Sequence, residues 1–357
     1  MRYIVFAILI LIGKSIYAQG DSYKLNIGLQ PGYGFAWAHD KQVSAIENTS
    51  ASSLTFEINK LHLGPLAELW HKNGYYNGFQ FAYFHFSNSI IGQALSASYF
   101  IEPILLKNKQ FTLSARGCLG LMYASHPFDS VGNPLNRNYS LYINPYLALS
   151  LIANYHFYDR YSLKAAVNYN HISNGNIQDP NYGLNFPTIN LGIEKNISQK
   201  SHKTKAIDTT KCWRFDIVGF ASNKSSTLSL NDRFWVYGFD INASRKINFK
   251  HALTGGIEYM SDESVGFLYQ CESRKGLSIY RVGTTIGHEF LFGPRFIFSQ
   301  QLGLYVFNQT PYVSWVYHRW GLQYKLNHHL MLGANLLADM QKANFLDIRM
   351  TFSFYKN

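Results

Sequence analysis

Residues 161–195 read YSLKAAVNYNHISNGNIQDPNYGLNFPTINLGIEK. Two alternating runs flank a polar loop rich in Gly, Pro and Asn, the pattern of a β-hairpin. Tyr161, Leu163, Ala165, Val167 and Tyr169 share one face of the first strand, and Lys164, Ala166, Asn168 and Asn170 share the other. On the return strand Pro187, Ile189, Leu191 and Ile193 form the apolar face, opposite Asn190, Gly192 and Glu194. Carried onward, the same parity puts His171, Ser173 and Asn185 on the apolar side. Polar groups able to form a relay on a greasy face make little sense in water, so the solvent has to be settled first.

The chain opens Met-Arg-Tyr, is almost wholly apolar from Ile4 to Ile12, and reaches Ser15-Ile-Tyr-Ala18 before Gln19. A basic start, a short apolar core and a small residue at the cut describe a secretory signal peptide over residues 1–18. No later run approaches the ~18 apolar residues of a transmembrane helix. Aromatic residues make up 16% and charged residues 15% of the chain, whereas soluble domains carry about 25% charge. Alternating segments of about ten residues between turn signals point to an exported membrane β-barrel rather than a secreted β-sandwich. Cys118, Cys212 and Cys271 are odd in number and far apart, and they define no disulfide framework.

Strands are predicted near 23–35, 52–59, 76–86, 92–102, 111–123, 139–155, 161–172 and 187–197. Long loops at 36–51, 124–138 and 173–186 then fall on the outer side, with short turns on the periplasmic side. Residues 60–75 carry enough Leu for a short helix. The region 19–197 is followed by a polar, basic linker at 198–211. Further strands lie near 212–222, 232–245, 251–260, 278–292, 295–307, 313–326, 329–338 and 344–355, in a second half spanning 212–357. The fold class is all-β, an antiparallel transmembrane barrel of about 14–16 strands. The even count suits one wide barrel or an eight-stranded barrel plus a second barrel half. One barrel is the expectation, because a second small barrel needs its own closure. The net charge of +11 gathers in Lys200, Lys203, Lys205, Lys211, Arg245, Lys246, Lys250 and Lys325, on the periplasmic side. It accompanies no nucleic-acid-binding motif and reads as solvated turns and linker.

Serine attack on an ester needs a base beside the hydroxyl, a group that orients the base, and donors for the oxyanion. His171 and Ser173 lie about 6.6 Å apart along one strand face. If the hairpin pairs symmetrically about Gln178, Asn185 sits across the ladder from His171, and Gly183 across from Ser173. The Asn185 oxygen could then accept from one ring N–H and set the tautomer. Asn174 and the backbone of Gly175 are the nearest candidates for the oxyanion. Asn carries no charge to steady an imidazolium, so a slower enzyme is expected than one with a carboxylate. Lipid-facing placement fits an acyl ester, whose chain could stay in the bilayer during attack.

The series His171-Ile-Ser-Asn-Gly175, then Pro180-Asn-Tyr-Gly183, then a strand, resembles the lipid A 3-O-deacylase family of outer-membrane barrels over roughly Gln19 to Lys195. The resemblance implies a serine-type carboxylic ester hydrolase acting on lipid A or lipopolysaccharide, with no cofactor. It maps the family's His and Ser onto His171 and Ser173, while the position of its third member, a Glu, holds Asn185. The outer-membrane phospholipase A family is similar at Asn170 to Gly175 and Asn185, and would imply phospholipid substrates and calcium. The longer form resembles acyloxyacyl hydrolase-like proteins, matched more loosely at His288–Gly293 and Arg319–Tyr324. A non-catalytic pore or structural barrel is the reading from another class. Oligomeric state is open.

His-x-Ser-Asn is a weak signal alone, since His85-Phe-Ser-Asn88 repeats it. There the residue fourteen further on is Tyr99, and no Pro-Asn-x-Gly follows. His288-Glu289 and His328-His329 project to opposite strand faces, which makes turn or wall residues of them rather than metal ligands.

Overall fold

The computed structural model describes residues 22–200, 212–226, 229–274, 276–292, 295–339 and 342–356. The expected signal peptide and residues 201–211 of the expected linker lie outside the described residues. The chain divides into two compact units, residues 1–174 with 180–205, and residues 175–179 with 206–357.

Among the described residues sixteen strands form, all antiparallel to their neighbours, and they close as two barrels of eight. The first contains β1 (Tyr23–Phe35), β2 (Ser50–His62), β3 (Tyr75–Phe86), β4 (Gln93–Lys107), β5 (Phe111–Ala124), β6 (Ile143–Tyr158), β7 (Tyr161–Ile172) and β8 (Leu184–Lys200). The second contains β9 (Trp213–Ser226), β10 (Ser229–Lys246), β11 (His251–Asp262), β12 (Tyr280–Phe292), β13 (Phe296–Asn308), β14 (Val316–Lys325), β15 (Leu330–Asp339) and β16 (Lys342–Lys356). The all-β barrel expectation holds, but a single wide barrel does not form: β8 pairs back onto β1, with Tyr33 opposite Ile189, and β16 pairs onto β9, with Thr351 opposite Val218.

The lumen explains the closure. Eight strands leave an interior just wide enough for side chains, and here charged residues bridge it. Arg116 on β5 binds Glu57 on β2 at 2.7 Å and Glu102 on β4 at 2.5 Å. Lys164 on β7 pairs with the same Glu57 and with Glu194 on β8 at 3.1 Å. A sixteen-stranded wall would hold β2 out of reach of β5 and β7, leaving those charges to water. The second barrel repeats the device: Arg319 binds Asp347 at 2.8 Å and Glu258 at 2.6 Å, and Arg349 binds Asp347 at 2.8 Å and Asp240 at 3.1 Å. Buried charges persist only when paired, and these pairs fill both interiors.

Outside, the polarity inverts. Leu149, Leu191 and Ile189 are 68, 62 and 60% exposed, and Ile286 on the second barrel is 70% exposed. Apolar side chains outward and charged ones inward is the arrangement a bilayer selects for a barrel wall. No helix among the described residues is long and apolar enough to cross a membrane; the strands do the crossing. The helix expected within 60–75 forms at Pro65–Trp70.

One end of the first barrel carries the connections 36–49, 87–92, 125–142 and 173–183. The sixth strand starts at Ile143 rather than 139, because Tyr139 leaves the wall and is buried, its hydroxyl donating to the Ile91 carbonyl at 3.0 Å. Beneath these loops Phe84, Phe86, Tyr146, Ile172, Leu184 and Phe186 cluster inside the barrel, with the Phe186 ring 5.0 Å from Phe84 and 5.3 Å from Phe86. This aromatic plug stiffens the ends of β7 and β8. Leu191→Arg is expected to destabilise the protein in lipid vesicles by about 2–4 kcal/mol, the cost of a cation at the bilayer midplane. Urea titration of the reconstituted barrel reads it, and an unchanged midpoint would mean that the wall does not face lipid.

Candidate functional site

The β7–β8 ladder runs from Tyr161 opposite Lys195 to Ile172 opposite Leu184, and it sets His171 directly across from Asn185. Along β7 Tyr161, Leu163, Ala165, Val167 and Tyr169 are exposed while Ser162, Lys164, Ala166 and Asn170 are buried, so His171 shares the parity of the outer wall. The ring Nδ1 lies 2.7 Å from Asn185 Oδ1. On the other side of His171 the ladder partner is Leu147 of β6, an exposed residue of the apolar exterior. Asn170, one residue earlier, faces inward and accepts from the Tyr146 hydroxyl at 2.7 Å. Within one dipeptide the strand therefore presents a polar lumen contact and an imidazole on the lipid side.

Asn185 faces outward yet is only 7% exposed, because the chain after β1 folds over it. The Trp37 N–H donates to the Asn185 carbonyl at 2.8 Å, and the Trp37 indole stands edge-on to Tyr169 at 6.4 Å. Trp37 thus serves as one extra rung of ladder beside the end of β8. Two residues on, His39 Nδ1 lies 3.0 Å from Asn185 Nδ2, and His39 Nε2 lies 3.1 Å from the Tyr182 carbonyl. Nothing in the spacing of the sequence singles out His39, which is 146 residues from Asn185 and outside every alternating segment.

Ser173 follows directly on β7, its N–H reaching the Pro145 carbonyl at 3.4 Å. Neither the Ser173 hydroxyl nor His171 Nε2 has a hydrogen-bond partner among the described residues. Asn174 is differently placed. It is fully buried, its N–H donates to Asn181 Oδ1 at 2.8 Å, and its side-chain amide donates to Ser140 Oγ at 3.0 Å. These contacts hold Asn174 within the loop. Gly175 takes φ 64° and counts with the second compact unit.

The other half of the loop is stitched to the 125–142 connection. Gly183 N–H donates to the Asn138 carbonyl at 2.8 Å, and Tyr182 N–H to the Arg137 carbonyl at 3.2 Å. That connection is itself clipped by Asp129, whose carboxylate accepts from Gly132 N–H at 2.7 Å and Val131 N–H at 3.0 Å. Those two amides, Gly132 first, hold the Asp129 carboxyl below the usual carboxylate range.

Residues 32–194 match the family model for lipid A 3-O-deacylase (PagL), and residues 213–357 match that for the acyloxyacyl hydrolase C-terminal domain. Together the two matches support a relation to the lipid A 3-O-deacylase family. No curated protein sequence matches it. Among solved structures, a mutant of the Rh. blastica porin is 13% identical over 93% of this chain and 100% of its own, with a TM-score of 0.19. The KdgM porin is 9% identical over 73% of this chain and 95% of its own, with a TM-score of 0.20. Superpositions at that level do not establish a shared strand arrangement.

The polar neighbours of the competing histidines are tied to structural tasks. Beside His85, Ser87 Oγ accepts from the Ser50 N–H at 2.9 Å, and Asn88 closes a turn by accepting from Ile90 N–H at 2.9 Å while its amide donates to the Ala45 carbonyl at 3.0 Å. Glu289 points inward to Arg214 at 2.7 Å, whereas His288 contacts His251 at 3.0 Å. Among the described residues no three His, Cys, Asp or Glu side chains gather where a metal ion could sit.

Gly183 completes the geometry. It adopts φ 80°, and a Cβ there would stand 2.8 Å from His171 Cε1. A side chain at this position is strained in its backbone and collides with the imidazole. Gly183→Ala is expected to cost roughly 1–2 kcal/mol and to displace the ring from Asn185. Loss of the downfield His171 Nδ1–H proton resonance would report the displacement. An unmoved resonance would show that the ring has room to spare.

Proposed function

We propose that the protein is a lipid A deacylase that cleaves an acyl ester at the outer leaflet of the bacterial outer membrane, with Ser173, His171 and Asn185 as its working side chains. The observation that carries this reading is the 2.7 Å contact between His171 Nδ1 and Asn185 Oδ1 on the apolar face of the wall. With Nδ1–H donating to the amide oxygen, Nε2 keeps its lone pair and can act as a base.

The chemistry follows in order. His171 Nε2 takes the Ser173 hydroxyl proton as Oγ attacks the ester carbonyl carbon, giving a tetrahedral oxyanion. Collapse expels the sugar alkoxide, which His171 Nε2–H protonates, and leaves an acyl-serine. Water, deprotonated by the same Nε2, attacks the acyl-serine, and Ser173 departs with its proton restored as the fatty acid leaves. Asn185 holds the ring through Nδ1–H but adds no negative charge as the imidazolium forms, so turnover is slower than with a carboxylate in its place.

A pore is disfavoured because paired charges fill both lumens. The test is release of fatty acid from lipopolysaccharide by detergent-purified protein, followed by mass spectrometry. Hydroxylated acyl chains are expected to appear, with rates unaffected by EDTA. Ser173→Ala and His171→Ala are each expected to lower the rate roughly 10³-fold or more. Calcium-dependent release from phospholipid instead would make the protein a phospholipase, and no release from either lipid would remove the hydrolase reading.

A further inference from the structure

The mechanism leaves one question that a carboxylate would not raise. A carboxylate offers oxygen whichever way it turns, but an amide has two unlike ends. If Asn185 presented its NH2 to His171 Nδ1, the imidazole would be forced into the Nε2–H tautomer and could take no proton from a serine. Something has to choose the end.

We propose that His39 is the positioning residue that makes this choice, an inference that rests on the reading of His171 as the base. His39 Nε2 lies 3.1 Å from the Tyr182 carbonyl oxygen, a group that only accepts. Nε2 of the neutral ring therefore carries the proton, and the Nδ1 lone pair is left facing Asn185. At 3.0 Å that lone pair accepts from Asn185 Nδ2, which turns Oδ1 toward His171 at 2.7 Å. His171 must then hold its proton on Nδ1. The opposite order fails at the first link, since it sets the Nε2 lone pair against the Tyr182 carbonyl. The Trp37 carbonyl, 3.4 Å from His39 Nδ1, is too far to offer that order a comparable bond. The sequence Tyr182 carbonyl, His39, Asn185, His171 is thus a one-way chain of neutral hydrogen bonds that leaves the lone pair of the last imidazole on Nε2.

The chain runs through backbone as well as side chain. Tyr182 is held by the Arg137 carbonyl, and the segment before His39 is held by the Trp37 bond to Asn185. The orienting carbonyl and the orienting imidazole are therefore both fixed to elements of the same barrel.

The experiment combines kinetics with ¹⁵N-histidine NMR on the full chain, with heat-modifiable gel migration confirming a closed barrel in every variant. Wild-type His171 is expected to show the Nδ1–H tautomer. His39→Leu is expected to shift His171 toward Nε2–H and to lower kcat by roughly one to two orders of magnitude while KM changes less than about twofold. His39→Gln should recover most of that loss, because its amide can donate to Tyr182 and accept from Asn185. In an Asn185→Asp background, where both ends of the orienting group are oxygens, His39→Leu should cost less than about threefold more. A His39→Leu protein with unchanged tautomer and kcat would overturn the assignment. So would full sensitivity to His39→Leu in the Asn185→Asp background, which would mark His39 as scaffolding. If wild type releases no fatty acid, the hydrolase reading fails by itself, and the His171 tautomer still decides whether His39 sets the order of the bonds.

Discussion

Side chains fill the lumens of these eight-stranded barrels, and this constraint governs the rest of the structure. Side chains from facing strands meet across each, so any residue pointing inward must find a partner there. Arg116, Lys164, Glu57, Glu102 and Glu194 meet that demand in the first barrel, and Arg319, Arg349, Asp240, Glu258 and Asp347 meet it in the second. The proposed chemistry on a long lipid is left with the outside of the wall. The pleat then decides which residues can take part, since alternate side chains alone reach the exterior.

On that exterior the problem is to keep a polar relay in an apolar setting. The protein solves it with short, saturated bonds. The His171–Asn185 pair sits under the segment after β1, whose Trp37 satisfies the Asn185 carbonyl, and the loop that follows β7 uses Asn174 and Asn181 to bind itself. Under the proposed mechanism, a relay built from an amide and imidazoles places no carboxylate beside hydrocarbon, where desolvation of an ion is expensive. Such a relay would give up the electrostatic help that a carboxylate lends to an imidazolium, and the direction of the bonds would matter correspondingly more.

Much of this was legible in the sequence. Alternation located every strand to within a few residues, and the symmetry of the 161–195 hairpin about Gln178 placed Asn185 opposite His171, because register follows from a tight loop and a one-sided apolar pattern. The closure into two barrels was not legible. It depends on which charged residues meet across a lumen, as Lys164 does with Glu57, and those contacts join strands far apart in the chain. The way Asn174 is held was not legible for a related reason, since its Asn181 and Ser140 contacts depend on how two loops fold together. His39 escaped notice because only the β1–β8 seam brings it to the site.

That seam has a temporal side. His39 follows β1 at the start of the first barrel, whereas His171 and Asn185 belong to its last hairpin, and the seam is the join that turns a sheet into a tube. Under the proposed relay, a chain in transit toward the membrane is accordingly a latent catalyst. Assembly itself then becomes the activation step, because wall and working site are completed by one and the same event.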